Sequence, residues 1–244
     1  MFYSIHTNFI ITPIIDILTE SVVACQCVGD GLETQPLSEY IMQSTFLRMT
    51  GALEQKMKCV CWELATNDYI YRYAFLNENK NYGEYSDYKS KNKVYSDVLG
   101  QIKKYDTEFD AGNWIENKEK LLVEIKDEIC KHIEKSVMVV WAQPQYEFFK
   151  GNTGCITAGQ ICTPKGNLFE SALQEDYRKF VYTHRNRCAH NLTSYQENLP
   201  LFDTLMQEEY RYENYFYRYN ILIVLDKIFI LLYKKYLDMC CRIW

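Results

Sequence analysis

Apolar side chains recur every three to four residues over most of this chain, and that period predicts helices. The clearest stripe is Phe46, Met49, Leu53, Met57, Val60 and Leu64, the inner face of a long helix starting near Ser38. A second stripe, Ile115, Leu122, Ile125, Ile129 and Ile133, predicts a helix over about 113–140, with Asn113 as N-cap and Glu116 at N3. A third comprises Tyr177, Val181, His184, Cys188 and Leu192. Residues 213–238 are apolar nearly all round and predict a central bundle helix, also available for dimer contact. Asp226-Lys227 interrupts that run, which falls short of the roughly 18 apolar residues of a membrane span. Residues 9–23 predict a short buried helix, ended by Gly29-Asp30-Gly31.

Between the stripes lie two breaks. Residues 77–93 are polar and rich in Asn and Tyr, and read as a solvated loop or insertion. Lys89, Lys91 and Lys93 with Tyr82, Tyr85 and Tyr88 also offer cationic and stacking surfaces of the kind single-stranded RNA uses. Residues 143–166, with Pro144, Gly151, Gly154, Gly159, Pro164 and Gly166, read as a connector that carries at most a short hairpin. With only 10 glycines and 5 prolines against 48% hydrophobic residues, the expectation is an all-α fold, a helical bundle with peripheral helices and a long loop insertion. One domain spans 1–244, comprising an N-terminal extension at 1–37 and a bundle at 38–244 with variable loops near 77–93 and 143–166. The aromatic series from Tyr210 to Tyr219 is read as core and interface.

Charge and cysteines narrow the function classes. A net charge of −5 argues against a general nucleic-acid coat, which must neutralise many phosphates. The ten cysteines do not form the paired C-x2-C sets of a zinc site, and several sit in apolar helical runs where Cys behaves as a small hydrophobe. No metal and no cofactor is expected. Residues 9–18 are interrupted by Pro13 and Asp16 and lack a basic lead, so the expectation is a cytoplasmic chain with no membrane contact.

One stretch departs from the acidic whole. Between Arg178 and His190 stand Arg178, Lys179, Arg185 and Arg187 with two histidines, and no acid intervenes between Asp176 and Glu197. Histidine exchanges protons near neutral pH, and arginine presents a fork of donors to phosphate. Together they are the parts of a phosphodiester-cleaving site that uses no metal. At 100° per residue His190 lies on the side of Asn186 and Arg187, whereas His184 falls on the packing stripe. Arg185 and His190 sit about 140° apart, so a second subunit would help bring both to one phosphate.

Arg185-Asn186-x-x-x-His190 resembles the Arg-x4–6-His signature of the HEPN superfamily, and Cys188-Ala189-His190-Asn191 is similar to the form in abortive-infection proteins. Glu54-Gln55-Lys56-Met57-Lys58 resembles the Glu-x3-Lys element that accompanies the motif. The resemblance covers two helices. It implies a HEPN-type bundle and a metal-independent endoribonuclease that acts as a toxin or in antiviral defence. It implies catalytic roles for Arg185, His190, Asn186 and Glu54, and RNA contacts from Arg187, Lys58, Arg178 and Asn191. The implied partners are RNA, a second copy of the chain in a homodimer, and an antitoxin or defence-system protein. Glu54 has a plainer meaning too, an i,i+4 ion pair with Lys58. The alternative to an enzyme is a catalytically inactive HEPN-like module that binds a protein or nucleotide, with Arg185 and His190 as a phosphate clamp.

Overall fold

The stripe from Phe46 to Leu64 becomes the buried face of α3 (Gln35–Asn67), and all six of its residues are fully enclosed. A computed structural model describes residues 4–78, 85–152, 155–190 and 214–241. Before α3 come α1 (Ile5–Ile11) and α2 (Ile15–Ala24), separated at Pro13, which cannot continue a helix from the preceding turn. Both pack into the common core, α1 on α3 and α2 on α3 and α6, so the segment set apart as an extension shares the bundle's interior. After α3 follow α4 (Tyr69–Glu78), α5 (Tyr88–Tyr105), α6 (Lys118–Ile133), α7 (Val137–Trp141) and α8 (Gln143–Gly151). The motif segment runs as α9 (Ser171–Asp176), a π-helical turn (Tyr177–Tyr182) and α10 (Thr183–His190). The last helix is α11 (Tyr215–Cys241).

α11 is the central helix that its all-round apolarity predicts, packing against α1, α3, α5, α6 and α8. It runs in the same direction as α3: the Tyr219 hydroxyl donates to Met42 O at 2.7 Å, and Asp226 meets Lys56 further along both. The charge that interrupts its sequence is therefore an internal anchor. Lys56 Nζ lies 2.5 Å from Asp226 Oδ1 and also donates to Thr12 O, while Ile14 N donates to Asp226 Oδ2 at 2.9 Å. That one pair ties α3 and α11 to the α1–α2 break.

Four sequence expectations are corrected. Residues 88–93 are the first turn and a half of α5, capped by Asp87, whose carboxylate accepts from Ser90 N at 2.7 Å. Lys91 is consequently buried inside the protein rather than offered to solvent. The N-cap of α6 is Asn117, accepting from Lys120 N at 2.8 Å; Asn113 instead closes a turn on Asp110. In that helix Leu121 is buried and Leu122 half-buried. The 143–166 connector opens with α8, whose Pro144 occupies the first helical turn, where a missing N–H does no harm.

The expected hairpin reduces to an antiparallel bridge between Ile161 and Phe169, turned by Gly166 at φ 79°. Among the described residues no strand longer than this bridge occurs. Nor is any single helix there long and apolar enough to cross a membrane; α1 and α2 reach that length only together, across a 73° bend.

Candidate functional site

The N-terminus of α5 positions the motif helix. Asn92 Oδ1 accepts from Leu168 N at 2.8 Å, and the Tyr88 hydroxyl accepts from Phe169 N at 3.0 Å. Glu170 then caps α9, accepting from Ala172 N at 2.9 Å. Six residues later the helix changes pitch. Thr183 N donates to Arg178 O, five residues back instead of four. In unbroken α geometry Arg185 would stand about 80° round from Tyr177. The extra residue returns Arg185 towards the Tyr177 face, and the charges of Glu54 and Arg185 are both felt at Tyr177.

On that face Arg185 Nη2 lies 3.3 Å from Glu54 Oε1 and 3.4 Å from Oε2, and Arg185 Nη1 donates to Asn186 Oδ1 at 3.1 Å. Three of the four residues assigned to catalysis are thus joined side chain to side chain. Glu54 pairs with Arg185, and no ion pair links it to Lys58. Beneath the pair sits Lys91, whose Nζ donates to Tyr85 O and Ser86 O and lies 5.4 Å from the centre of the Tyr177 ring. Burial is the main cause that lowers the Lys91 pKa to about 7; Glu54 and Asp87 oppose it, and Arg185 adds to it. The Tyr177 hydroxyl donates to Ser86 O at 2.9 Å, closing the floor.

α10 runs back along α3: Arg185 meets Glu54, the His184 ring packs 5.1 Å from Phe46, and Cys188 bonds to Gln43. Glu54 and Gln43 are separated by about 16 Å of helix. Glu54 therefore serves the Arg185 end of α10. The backbone of His190 closes α10 two residues beyond Cys188; its side chain and the whole of Asn191 lie outside the described residues.

The other residues assigned to RNA are dispersed. Arg178 is held by Glu175, its Nε donating at 2.8 Å, and Lys179 lies 3.4 Å from the same carboxylate. Those contacts pull the Glu175 pKa down to about 2. The positive stretch is therefore largely answered by acids, Glu175 for two of its charges and Glu54 for a third. Lys58 lines an apolar groove with Trp62, Phe75 and Leu76. Arg187 faces a different cleft, with His184, Tyr215 and Arg218.

His184 is a packed group, as its stripe position implies. Its Nε2 lies 3.1 Å from the Tyr215 hydroxyl, and burial, reinforced by Arg218 and Arg187, pushes its pKa down to about 2. Sequence reasoning set Lys91 on a solvated loop instead of beneath the Glu54–Arg185 pair, and missed Arg218. The first was signalled by its place one turn before Val94 on the run Val94, Val98, Ile102. The second was signalled by a cation within an aromatic run. Among the described residues no group of three or more His, Cys, Asp or Glu side chains converges as metal ligands do. Comparison with models of protein families, with curated proteins and with solved structures finds no match.

Proposed function

We propose that this protein is a HEPN-like, metal-independent endoribonuclease that acts as a toxin or in antiviral defence. The observation that carries this reading is the Glu54–Arg185 pair, which joins the acidic element of α3 to the Arg-Asn-x3-His helix. In the proposed reaction an RNA 2′-oxygen attacks the adjacent phosphorus and its proton passes to the imidazole of His190. The bond from phosphorus to the 5′-oxygen breaks, that oxygen takes up a proton, and a 2′,3′-cyclic phosphate remains. Proton transfer of this kind contributes on the order of 10²–10⁴-fold. Arg185 steadies charge on the phosphoryl oxygens, a role that suits a guanidinium already oriented by Glu54 and Asn186. Because Arg185 and His190 are separated by about 140° and about 7.5 Å along α10, the active species is a homodimer whose motif helices face each other.

The test is incubation of purified protein with mixed RNAs in EDTA. Wild type is expected to cleave, and His190→Ala to leave the RNA intact. Intact RNA with the wild-type protein would overturn the reading in favour of a non-catalytic binding module.

A further inference from the structure

Lys91 lies beneath the Glu54–Arg185 pair and is only 2% exposed. An ammonium buried to that extent sheds water that a carboxylate normally replaces. Lys56, also buried, has Asp226 at 2.5 Å, but no carboxylate among the described residues comes within ion-pair distance of Lys91. Its Nζ donates instead to Tyr85 O and to Ser86 O, the latter at 2.9 Å, and lies 5.4 Å from the centre of the Tyr177 ring. Two carbonyls and an aromatic face attract a cation without neutralising it. The positive charge of Lys91 therefore acts on whatever lies above it.

Four charges meet there, each brought by a separate part of the fold. Glu54 comes from α3, Asp87 from the N-cap of α5, Lys91 from the first turns of α5, and Arg185 from α10. Tyr177, on the π-helical turn, is a fifth titratable group; its hydroxyl donates to Ser86 O at 2.9 Å, and burial pushes its pKa upward, so it stays neutral. With Lys91 protonated, two cations balance two carboxylates. With Lys91 neutral, both carboxylates face one guanidinium, and the cluster turns net negative. A phosphodiester arriving at Arg185 brings a further negative charge, which the balanced cluster accepts and the negative one repels. The coupling is reciprocal, so an anion that prefers the protonated form strengthens the hold of Lys91 on its proton. Burial lowers the Lys91 pKa to about 7, and both forms are populated near neutral pH.

We propose that Lys91 is a positioning residue that acts through the Glu54–Arg185 pair, so that RNA binding takes up a proton from solvent at Lys91. The inference rests on Arg185 as a phosphate contact, as in the function proposed above, and not on cleavage.

Binding of labelled single-stranded RNA of mixed sequence tests it, in His190→Ala protein, which lacks the imidazole of the proposed reaction. Affinity is expected to fall at least about tenfold from pH 6 to pH 8.5. Calorimetry near pH 7.5 in buffers of different ionisation heat should then show net proton uptake. Adding Lys91→Met should give weak binding that is level across this range, with the uptake gone. Adding Lys91→Arg, whose charge does not titrate, should give binding that is level and tight, and it serves where the Met variant fails to fold. Adding Arg185→Ala should also abolish the uptake, although Lys91 remains in place. Affinity independent of pH in the His190→Ala protein would overturn the proposal, as would a pH dependence that survives in either Lys91 variant. Should wild type cleave RNA while either of those results holds, the proton linkage alone fails. Should RNA be neither bound at pH 6 nor cleaved by wild type, the phosphate contact at Arg185 fails and the linkage with it.

Discussion

Glu54 and Lys56 stand two residues apart on α3, about 200° round from one another, and each pairs with a charge from a later helix. The resemblance is only formal. Lys56 and Asp226 are 2% and 3% exposed, whereas Arg185 and Glu54 are 26% and 15% exposed. Burial drives the Lys56 pKa down and that of Asp226 up, and each partner's charge opposes the shift. A sealed pair of this kind loses hydration that its mutual attraction only partly restores, so its value lies in fixing one arrangement of helices. The open pair gives up less water and leaves a guanidinium partly exposed to solvent. One helix thus separates the charge that organises the core from the charge left open to solvent.

Breaking the sealed pair should have the largest effect. Asp226→Ala strands Lys56 and is expected to cost about 3–5 kcal/mol in urea unfolding followed by circular dichroism, whereas Lys56→Met with Asp226→Leu should recover most of the loss. A double variant as unstable as the single one would mean that the charges themselves are needed.

At the open pair the effects should divide differently. Glu54→Gln is expected to lower RNA cleavage by at least about tenfold and to change stability by no more than about 1 kcal/mol. Lys58→Ala should alter neither. Equal, small losses from both substitutions would remove Glu54 from the site.

The third effect, read against pH, concerns His184, which packs against Phe46 and Tyr215 on the side of α10 away from Glu54. Its folded pKa of about 2 lies below the unfolded value of about 6.5, so only the unfolded chain takes up its proton on acidification. Its contribution to stability is thus full above pH 6.5 and falls as the pH drops towards 2, by at most about 1.4 kcal/mol per pH unit. Denaturant midpoints of wild type and His184→Gln between pH 7 and pH 4 should converge by that increment. Parallel curves would show that the imidazole titrates in the fold.

The long helices were legible because burial on one face writes a period into the sequence, as from Phe46 to Leu64. α5 was not, because its inner stripe includes Lys91 and Gln101, both buried, and polarity there imitates a loop. α8 was hidden by Pro144, a breaker within a helix but an ordinary first-turn residue. At the site, residue types could be read but meetings could not. Lys56 and Asp226 are 170 positions apart, and nothing local announces their pairing. Glu54 and Arg185, 131 positions apart, were linked through a family pattern, while their geometry depends on a change of pitch that a constant 100° step does not contain.

That change of pitch makes the site a matter of counting. With donor and acceptor five positions apart at Tyr177–Tyr182, α9 and α10 stand out of step like two gears offset by a tooth. Every side chain of the motif could be preserved while one position was lost from that turn, and the arginine now beside Glu54 would face elsewhere. The spacing of residues before the motif is therefore as much a part of the Glu54–Arg185 arrangement as the identity of those within it.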